Sequence, residues 1–534
     1  MPVPQGTYTI TITNADVKDR DFGNRRFRVS GHKFNDINGN GIWDPNEPPL
    51  AGWTIKLEGT TEDGTPVSLT TNTDGTGAYE FADVPRGNYT LSEVLSGGWS
   101  QTLPSVPGTY PVIITNADVK DKDFGNHRFL IQDQVIVGAP YEDIGFNEDQ
   151  GRVYTFYGLT GELRHTLDTP NPQSDAGFGY SVSSGNVSSD YHDEVIVGAP
   201  YVDVGDNENQ GQIYTFYGAT GKPHHTLDCP KPKSWALFGW SVCAGDVNGD
   251  GFDEIIVGAP GEGVGDNESQ GRVYIFYGAT GELYHTLDCP NPESDAFFGG
   301  SVCTGDVDGD GFDDIIVGTD GEGQVYIFNG FSGELRHTLN TPNPELYVGF
   351  GWSVCAGNLV SDYRDEVIVG APGEDVDFTE DQGRVYTFYG ATGKLRHTLD
   401  CPNLESDAYF GCSVCSGDVD GDGFDDVIVG AHGKGRVYTF YGLTGELRHT
   451  LNNPIPQSDA GFGWSVCTGI VGSDYRDEVI VGAPGIDVGD NEDQGQVYTF
   501  YGATGKLHHT LDTPNPQSDA SFGWSVCTGA TSPP

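Results

Sequence analysis

Three nine-residue stretches carry more acid than a turn needs: Asp246-Val-Asn248-Gly-Asp250-Gly-Phe-Asp253-Glu254, Asp306-Val-Asp308-Gly-Asp310-Gly-Phe-Asp313-Asp314 and Asp418-Val-Asp420-Gly-Asp422-Gly-Phe-Asp425-Asp426. Side-chain oxygens at positions one, three and five, a backbone carbonyl at seven and a carboxylate at nine can wrap a hard cation, and glycine at six permits the sharp turn. Calcium suits such an all-oxygen set, so Asp246, Asn248, Asp250, Glu254, Asp306, Asp308, Asp310, Asp314, Asp418, Asp420, Asp422 and Asp426 are the expected ligands. Without a cation, so many neighbouring carboxylates would repel one another. Three further copies are degraded: Asn186 to Glu194, Asn358 to Glu366 and Ile470 to Glu478 lose donors at position one or three, and tyrosine replaces the turn glycine. These are expected to be empty or weak, with Arg364 and Arg476 supplying the balancing charge.

A second kind of loop lies near the start of the chain. Asp36-Ile-Asn38-Gly-Asn40-Gly41-Ile-Trp-Asp44-Pro-Asn-Glu47 matches a twelve-residue calcium loop at positions one, three, five, six, nine and twelve, with Glu47 placed to bind through both oxygens. No helical pattern flanks it; alternating stretches such as Trp53 to Leu57 and Tyr89 to Glu93 are strands.

Other reactive residues point away from catalysis. Cys229/Cys243, Cys289/Cys303 and Cys401/Cys415 each lie 14 residues apart, but Cys355, Cys412, Cys467 and Cys527 break the pairing, so disulfides and packed thiols both remain open. Cys412 and Cys415 form Cys-x-x-Cys, yet on a strand they would face opposite ways, which argues against redox chemistry. Seven histidines recur, His165, His225, His285, His337, His397, His449 and His509, and are expected to be structural rather than a ring of metal ligands. No unique Ser/His/Asp, paired-carboxylate or phosphate-loop set stands out, because nearly every candidate occurs several times over. An enzyme is therefore not expected.

The elements that hold the loops are repeats. Val-Ile-Val-Gly or Ile-Ile-Val-Gly occurs seven times, with glycines at 138, 198, 258, 318, 370, 430 and 482, and a Phe-Gly pair also occurs seven times, from Phe178 to Phe522. Each unit reads as four strands, as in FGWSVCAG, DEIIVGAP, GRVYIFYG and GELYHTLD, separated by Gly, Pro, Asn and Asp. Four strands every 50 to 60 residues make the blade of a β-propeller. The first Val-Ile-Val-Gly strand has no Phe-Gly strand before it, and the last Phe-Gly strand near Phe522 has nothing after it. Joined, they complete a seventh blade without an open edge.

Upstream, residues 6 to 27 recur at 108 to 129 with 17 identities in 22 positions. The expected organisation is therefore the tail of an upstream tandem copy at 1–27, a β-sandwich at 28–127 and a seven-bladed propeller at 128–534, an all-β chain. The N-terminus lacks the pattern of a secretion signal, an observation of little weight if a tandem copy precedes it. No stretch of about 18 apolar residues exists to span a membrane. With 27 Lys+Arg against 78 Asp+Glu, the formal charge of −51 excludes binding nucleic acid through a basic surface and also suits a high-salt habitat.

Phe-Gly, then Asp-x-Asn/Asp-Gly-Asp-Gly, then Gly-Ala-Pro, as at Gly258-Ala259-Pro260, resembles the FG-GAP repeats of integrin α-subunit propellers across about residues 130 to 534. The resemblance implies a seven-bladed propeller with calcium in the loops joining strands one and two, and a role in extracellular adhesion. Gly318-Thr319-Asp320 and Gly430-Ala431-His432 depart from the Gly-Ala-Pro element. Residues 28 to 127, with GHKFNDINGNGIWDPNE and TDGTGAYEF, look like the calcium-binding B-type β-sandwich of serine-aspartate repeat surface adhesins, which implies a rigid stalk.

The expectation is a non-enzymatic, calcium-stabilised protein, extracellular or at the cell surface, whose propeller binds a protein or glycan. Alternatives are a carbohydrate-binding propeller from a larger secreted enzyme or lectin, and an envelope component with no ligand. Binding is expected on the face bearing the long, acidic loops between strands two and three: Tyr141 to Asp149, Asp203 to Glu208, Glu374 to Asp381 and Asp487 to Asp493. That face should be notched at 321–323 and 433–435, where two units lack the loop.

Overall fold

A computed structural model describes residues 26–531 except 37–39, 45–46, 96–98, 106–107, 129–131, 189–192, 320, 322, 344–347, 361–363 and 473–475. Residues 1–25 of the expected upstream tail at 1–27, Asn38, Glu322 and the tips of the three degraded loops lie outside the described residues. The chain forms two compact units, one up to residue 130 and one from 131.

The first unit has eight strands: β1 (Phe27–Asn35), β2 (Thr54–Thr61), β3 (Pro66–Asn72), β4 (Ala78–Val84), β5 (Gly87–Glu93), β6 (Trp99–Leu103), β7 (Tyr110–Ile114) and β8 (Phe124–Arg128). They make two four-stranded sheets, ordered β4-β1-β8-β6 and β3-β2-β5-β7. Period-two alternation sends Phe27 and Val29 of β1, Ile55 and Leu57 of β2, Phe81 of β4 and Leu91 of β5 into one shared core. β1 runs out at Asn35, directly before the Asp36 loop.

The second unit is seven four-stranded sheets. Blade three is typical, with strands Ser241–Gly245, Glu254–Ala259, Arg272–Phe276 and Leu283–Asp288 in antiparallel order. Its second strand is buried at every position, which explains the unbroken Ile-Ile-Val run: both faces are covered by neighbouring blades. The fourth strand, at the outer rim, is instead buried only at Leu287 and exposed at Leu283 and Asp288. In blade one the strands Gln132–Ala139, Arg152–Tyr157 and Leu163–Leu167 are completed by Ser525–Thr531 from the C-terminus, in register from Ser525 opposite Gly138 to Thr531 opposite Gln132.

Three sets of polar contacts stitch each blade to the next. A serine after each Phe-Gly pair donates its hydroxyl to the Phe-Gly glycine carbonyl of the following blade, Ser181 to Gly239 at 2.8 Å through Ser465 to Gly523 at 2.9 Å and Ser525 to Gly179 at 2.8 Å. The aspartate at position eight of each loop donates its N–H to the preceding blade, as Asp253 does to the Asn186 carbonyl at 3.0 Å and Asp133 to that of Ile470 at 3.2 Å. Its carboxylate accepts a main-chain N–H in return, for example Asn186 to Asp253 at 2.8 Å and Asp418 to Asp477 at 2.9 Å. At the rim, His285 Nε2 lies 3.1 Å from the Phe331 carbonyl, His337 Nε2 3.2 Å from that of Ala391 and His509 Nε2 3.0 Å from that of Leu159. Five of the seven recurring histidines, His225, His285, His337, His449 and His509, therefore reach the next blade's main chain. All ten cysteines are free thiols, so packing rather than bridging accounts for them.

Candidate functional site

In the propeller loops the first aspartate organises the turn. Asp306 Oδ1 accepts from the amides of Gly309 and Asp310 at 2.7 and 3.1 Å, and Oδ2 accepts from Gly311 at 2.9 Å. Asp308 Oδ1 accepts from the Asp310 N–H, and Asp310 Oδ1 from the Phe312 N–H. Asp418, Asp420 and Asp422 repeat this arrangement, as do Asp246, Asn248 and Asp250. Gly311 and its counterparts Gly251 and Gly423 have φ of 87° to 91°; a Cβ there would meet nothing, so it is the left-handed backbone that selects glycine. Oxygens of Asp306, Asp308 and Asp310 lie within 4.8 Å of one another, and so do those of Asp418, Asp420 and Asp422.

Electrostatics mark the shared need of these loops. Burial, reinforced by neighbouring carboxylates, pushes Glu254 up to about 8 and Asp314 up to about 7. Burial does the same to Asp426, up to about 7. The donor set is all oxygen, and Asp314 Oδ2 is buried with no hydrogen-bond partner. Those are the features a hard cation satisfies.

Position nine is also where the loops differ. In blades four and six an arginine of the fourth strand enters: Arg336 contacts Asp308 and lies 3.5 Å from Asp314, and Arg448 lies 3.5 Å from Asp426. Blade three has Tyr284 at the equivalent place and the longer Glu254, which reaches the Asn248 side-chain amide and the Val247 N–H. Arg364 reaches beyond its own degraded loop: its Nε donates at 2.9 Å to the Asp308 carbonyl of the intact loop before it, because the loops of adjacent blades lie side by side. Arg476 similarly lies against Gly421 of the blade-six loop.

In the first unit Asp36 accepts from the Asn40 and Gly41 amides at 3.1 and 2.6 Å, Asn40 donates to Asp44 at 3.0 Å, and Glu47 Oε2 accepts from the Asp44 N–H at 2.9 Å. Glu47 Oε1 is buried without a hydrogen-bond partner. Asp36, Asn40, Asp44 and Glu47 are thus brought around one turn, and the donor chemistry again fits a hard cation.

The opposite end of the blades, reached by the loops between strands two and three and between successive blades, carries a feature that sequence reading missed. The residue after each Phe-Gly pair is often aromatic. Trp240 lies 4.7 Å from Tyr180, Tyr180 5.4 Å from Trp524, Trp524 4.7 Å from Trp464, Trp464 5.0 Å from His432, and His432 stacks 5.2 Å from Tyr409. The repeated Phe-Gly-Trp was the available signal. Tyr409, His432, Trp464 and Trp524 of this arc line a concavity of about 640 Å³ together with Asp149, Asp407, Asp459, Asp493 and Asp519, and the short blade-six turn at Gly433 opens it. Burial and then the neighbouring acids hold Asp149 and Asp493 above the usual carboxylate range.

Family comparison agrees with both halves of this description. The FG-GAP repeat matches residues 178–216, 238–276, 298–328 and 410–440, and the SdrD B-like domain matches residues 29–121. The second unit is an FG-GAP β-propeller of integrin-α type, and the first an SdrD B-like domain. Among individual proteins, the chain is 30% identical to integrin alpha-4 of Xenopus laevis over 215 residues, 39% of this chain and 20% of that one. It is 30% identical to integrin alpha-8 of Gallus gallus over 278 residues, 47% and 25% respectively. Integrin alpha-PS5 of Drosophila melanogaster is 32% identical over 194 residues, 34% and 19%. The chain spans about a quarter or less of the length of these curated relatives. No helix among the described residues is long and apolar enough to cross a membrane.

Proposed function

We propose that the chain is a calcium-stabilised adhesion or recognition protein of the cell surface or extracellular space, not an enzyme. Its SdrD B-like domain serves as a stalk, and its propeller binds a macromolecular partner on the face of the long acidic loops. Ca²⁺ is held by Asp36, Asn38, Asn40, Asp44 and Glu47 in the first unit. In the propeller it is held by Asp246, Asn248, Asp250 and Glu254, by Asp306, Asp308, Asp310 and Asp314, and by Asp418, Asp420, Asp422 and Asp426. The cation neutralises carboxylates that otherwise crowd one another, and so fixes loops that also carry the blade-to-blade aspartates.

The single observation that supports the binding reading is the acid-rimmed aromatic concavity. Ring faces favour a desolvated cation, and surrounding carboxylates draw one in over a distance set by screening. A basic protein partner fits both. Neutralising Asp143, Glu148, Asp149, Glu380 and Asp381 should weaken capture of a lysine- and arginine-rich test peptide and leave calcium content unchanged. Selective retention on a glycan array that survives these substitutions would favour the carbohydrate-binding alternative.

A further inference from the structure

The propeller contains its own controls, because each loop exists in several copies on one backbone template. Between strands two and three, the tips at Val204/Asn207, Val264/Asn267 and Val488/Asn491 close through the same isolated bridge as Ile144/Asn147 and Val376/Thr379. The first three tips carry Asp206, Asp266 and Asp490; the other two carry Phe146 and Phe378, whose rings are 104% and 106% exposed. The connections between blades show the same exchange. Asp175, Asp295, Asp407 and Asp519 donate their N–H to the carbonyl of Glu148, Glu268, Glu380 and Glu492 at 2.8 to 2.9 Å; at the equivalent place Trp235 donates to Glu208 at 2.8 Å and is 58% exposed.

The fold does not ask for these aromatics. Aspartate stands at the equivalent place elsewhere in the same molecule. At Trp235 the backbone also suits aspartate better than a ring: φ is 63°, against 56° and 60° at the equivalent Asp175 and Asp519, and Phe378 sits at 69° after Asp377, where the other tips have glycine. A bulky residue there costs of order 1 kcal/mol, and exposing its ring to water forgoes any burial in return. All three lie in loops of the one face, and the neighbouring tips are acidic.

We propose that Phe146, Trp235 and Phe378 are anchors for a protein partner that offers apolar sockets bordered by lysine or arginine. This rests on the acidic-face reading and makes it more specific: charge draws the partner in, and the three rings enter its surface. Large aromatic anchors contribute most where water is excluded around them, and the flanking acids pair with the cationic border.

The test reverts the three residues to the sister sequence, Phe146→Asp, Trp235→Asp and Phe378→Asp, in the full chain. A random peptide display library is selected on the immobilised wild type, and the most enriched peptide is synthesised and titrated by fluorescence anisotropy. The expected peptides combine basic and apolar residues, and the reverted variant should bind at least tenfold more weakly while melting no lower than the wild type. The substitutions add three negative charges, so attachment by charge alone would tighten; unchanged or tighter binding overturns the anchors. Loss on neutralising Asp143, Glu148 and Asp149 without loss in the reverted variant also overturns them, but leaves the acidic-face reading standing. Loss in the reverted variant alone, with none on neutralising the acids, removes the cationic border together with the acidic-face reading and overturns the proposal as stated. Failure to enrich any peptide sensitive to the reversion, or co-sedimentation of wild type but not variant with phosphatidylcholine vesicles, counts against a protein partner.

Discussion

Asp308 has two claimants, the guanidinium of Arg336 and the cation proposed for its loop. A fixed positive charge within a few ångströms opposes a divalent ion, so Arg336→Ala should tighten calcium binding at blade four by about tenfold, worth about 1.4 kcal/mol. Arg448→Ala should do the same at blade six. Calcium titration calorimetry reads both; blade three, with Tyr284, has no such arginine to remove. The inter-blade aspartates give a pH prediction. Burial holds Asp133 and Asp365 at about 6 and Asp477 at about 7, against about 4 in an unfolded chain. The folded state therefore binds protons more tightly, so stability rises as pH falls from 8 towards 5 and is lost as pH climbs through 6 to 7. Asp477→Asn keeps an oxygen for the Asp418 N–H and should flatten part of that slope in thermal melts. The residues of the candidate cation loops were legible from spacing alone. Arg336 was not, since it approaches from a strand far away in sequence.

Strands two and three of the blades solve one packing problem in two ways. In blade three, buried Glu262 contacts Arg272 and accepts from the Tyr274 hydroxyl at 2.6 Å. In blade two, Val202 and Gln212 take these places, Gln212 donating to Asp228 and accepting from Tyr214, both at 2.6 Å. Glu262→Val alone takes away one of the two carboxylates on Arg272, leaving Asp288, and should cost about 2 kcal/mol. Adding Arg272→Gln should recover most of that loss, a double-mutant cycle readable by urea unfolding. The closing strand is the other element under test. Deleting residues 520–534 removes the partner of Gln132–Ala139 and the Ser525 hydroxyl bond to Gly179, and should lower the melting temperature by well over the few degrees of an ordinary terminal trim. Seven Val-Ile-Val-Gly strands offset by one from seven Phe-Gly strands made this pairing readable. The histidine and serine contacts were not, because their partners are main-chain carbonyls, which no side-chain pattern records.

At the scale of the molecule, repetition separates support from recognition. Strands and inter-blade contacts recur with small variation, whereas the face of the loops between strands two and three departs from its own template through the notch at Gly433 and the exchanges at Phe146, Trp235 and Phe378. The central claim is that calcium holds this architecture, and a direct count of bound ions tests it most simply. Calcium titration of the chelated full chain, followed by isothermal calorimetry, should give four strong sites, one in the first unit and three in the propeller. Each adds roughly 2.7 kcal/mol when free calcium stands at 100 times its Kd, so the chelated chain should melt markedly lower. A stoichiometry of one or less, with a melting temperature indifferent to chelator, would contradict the account.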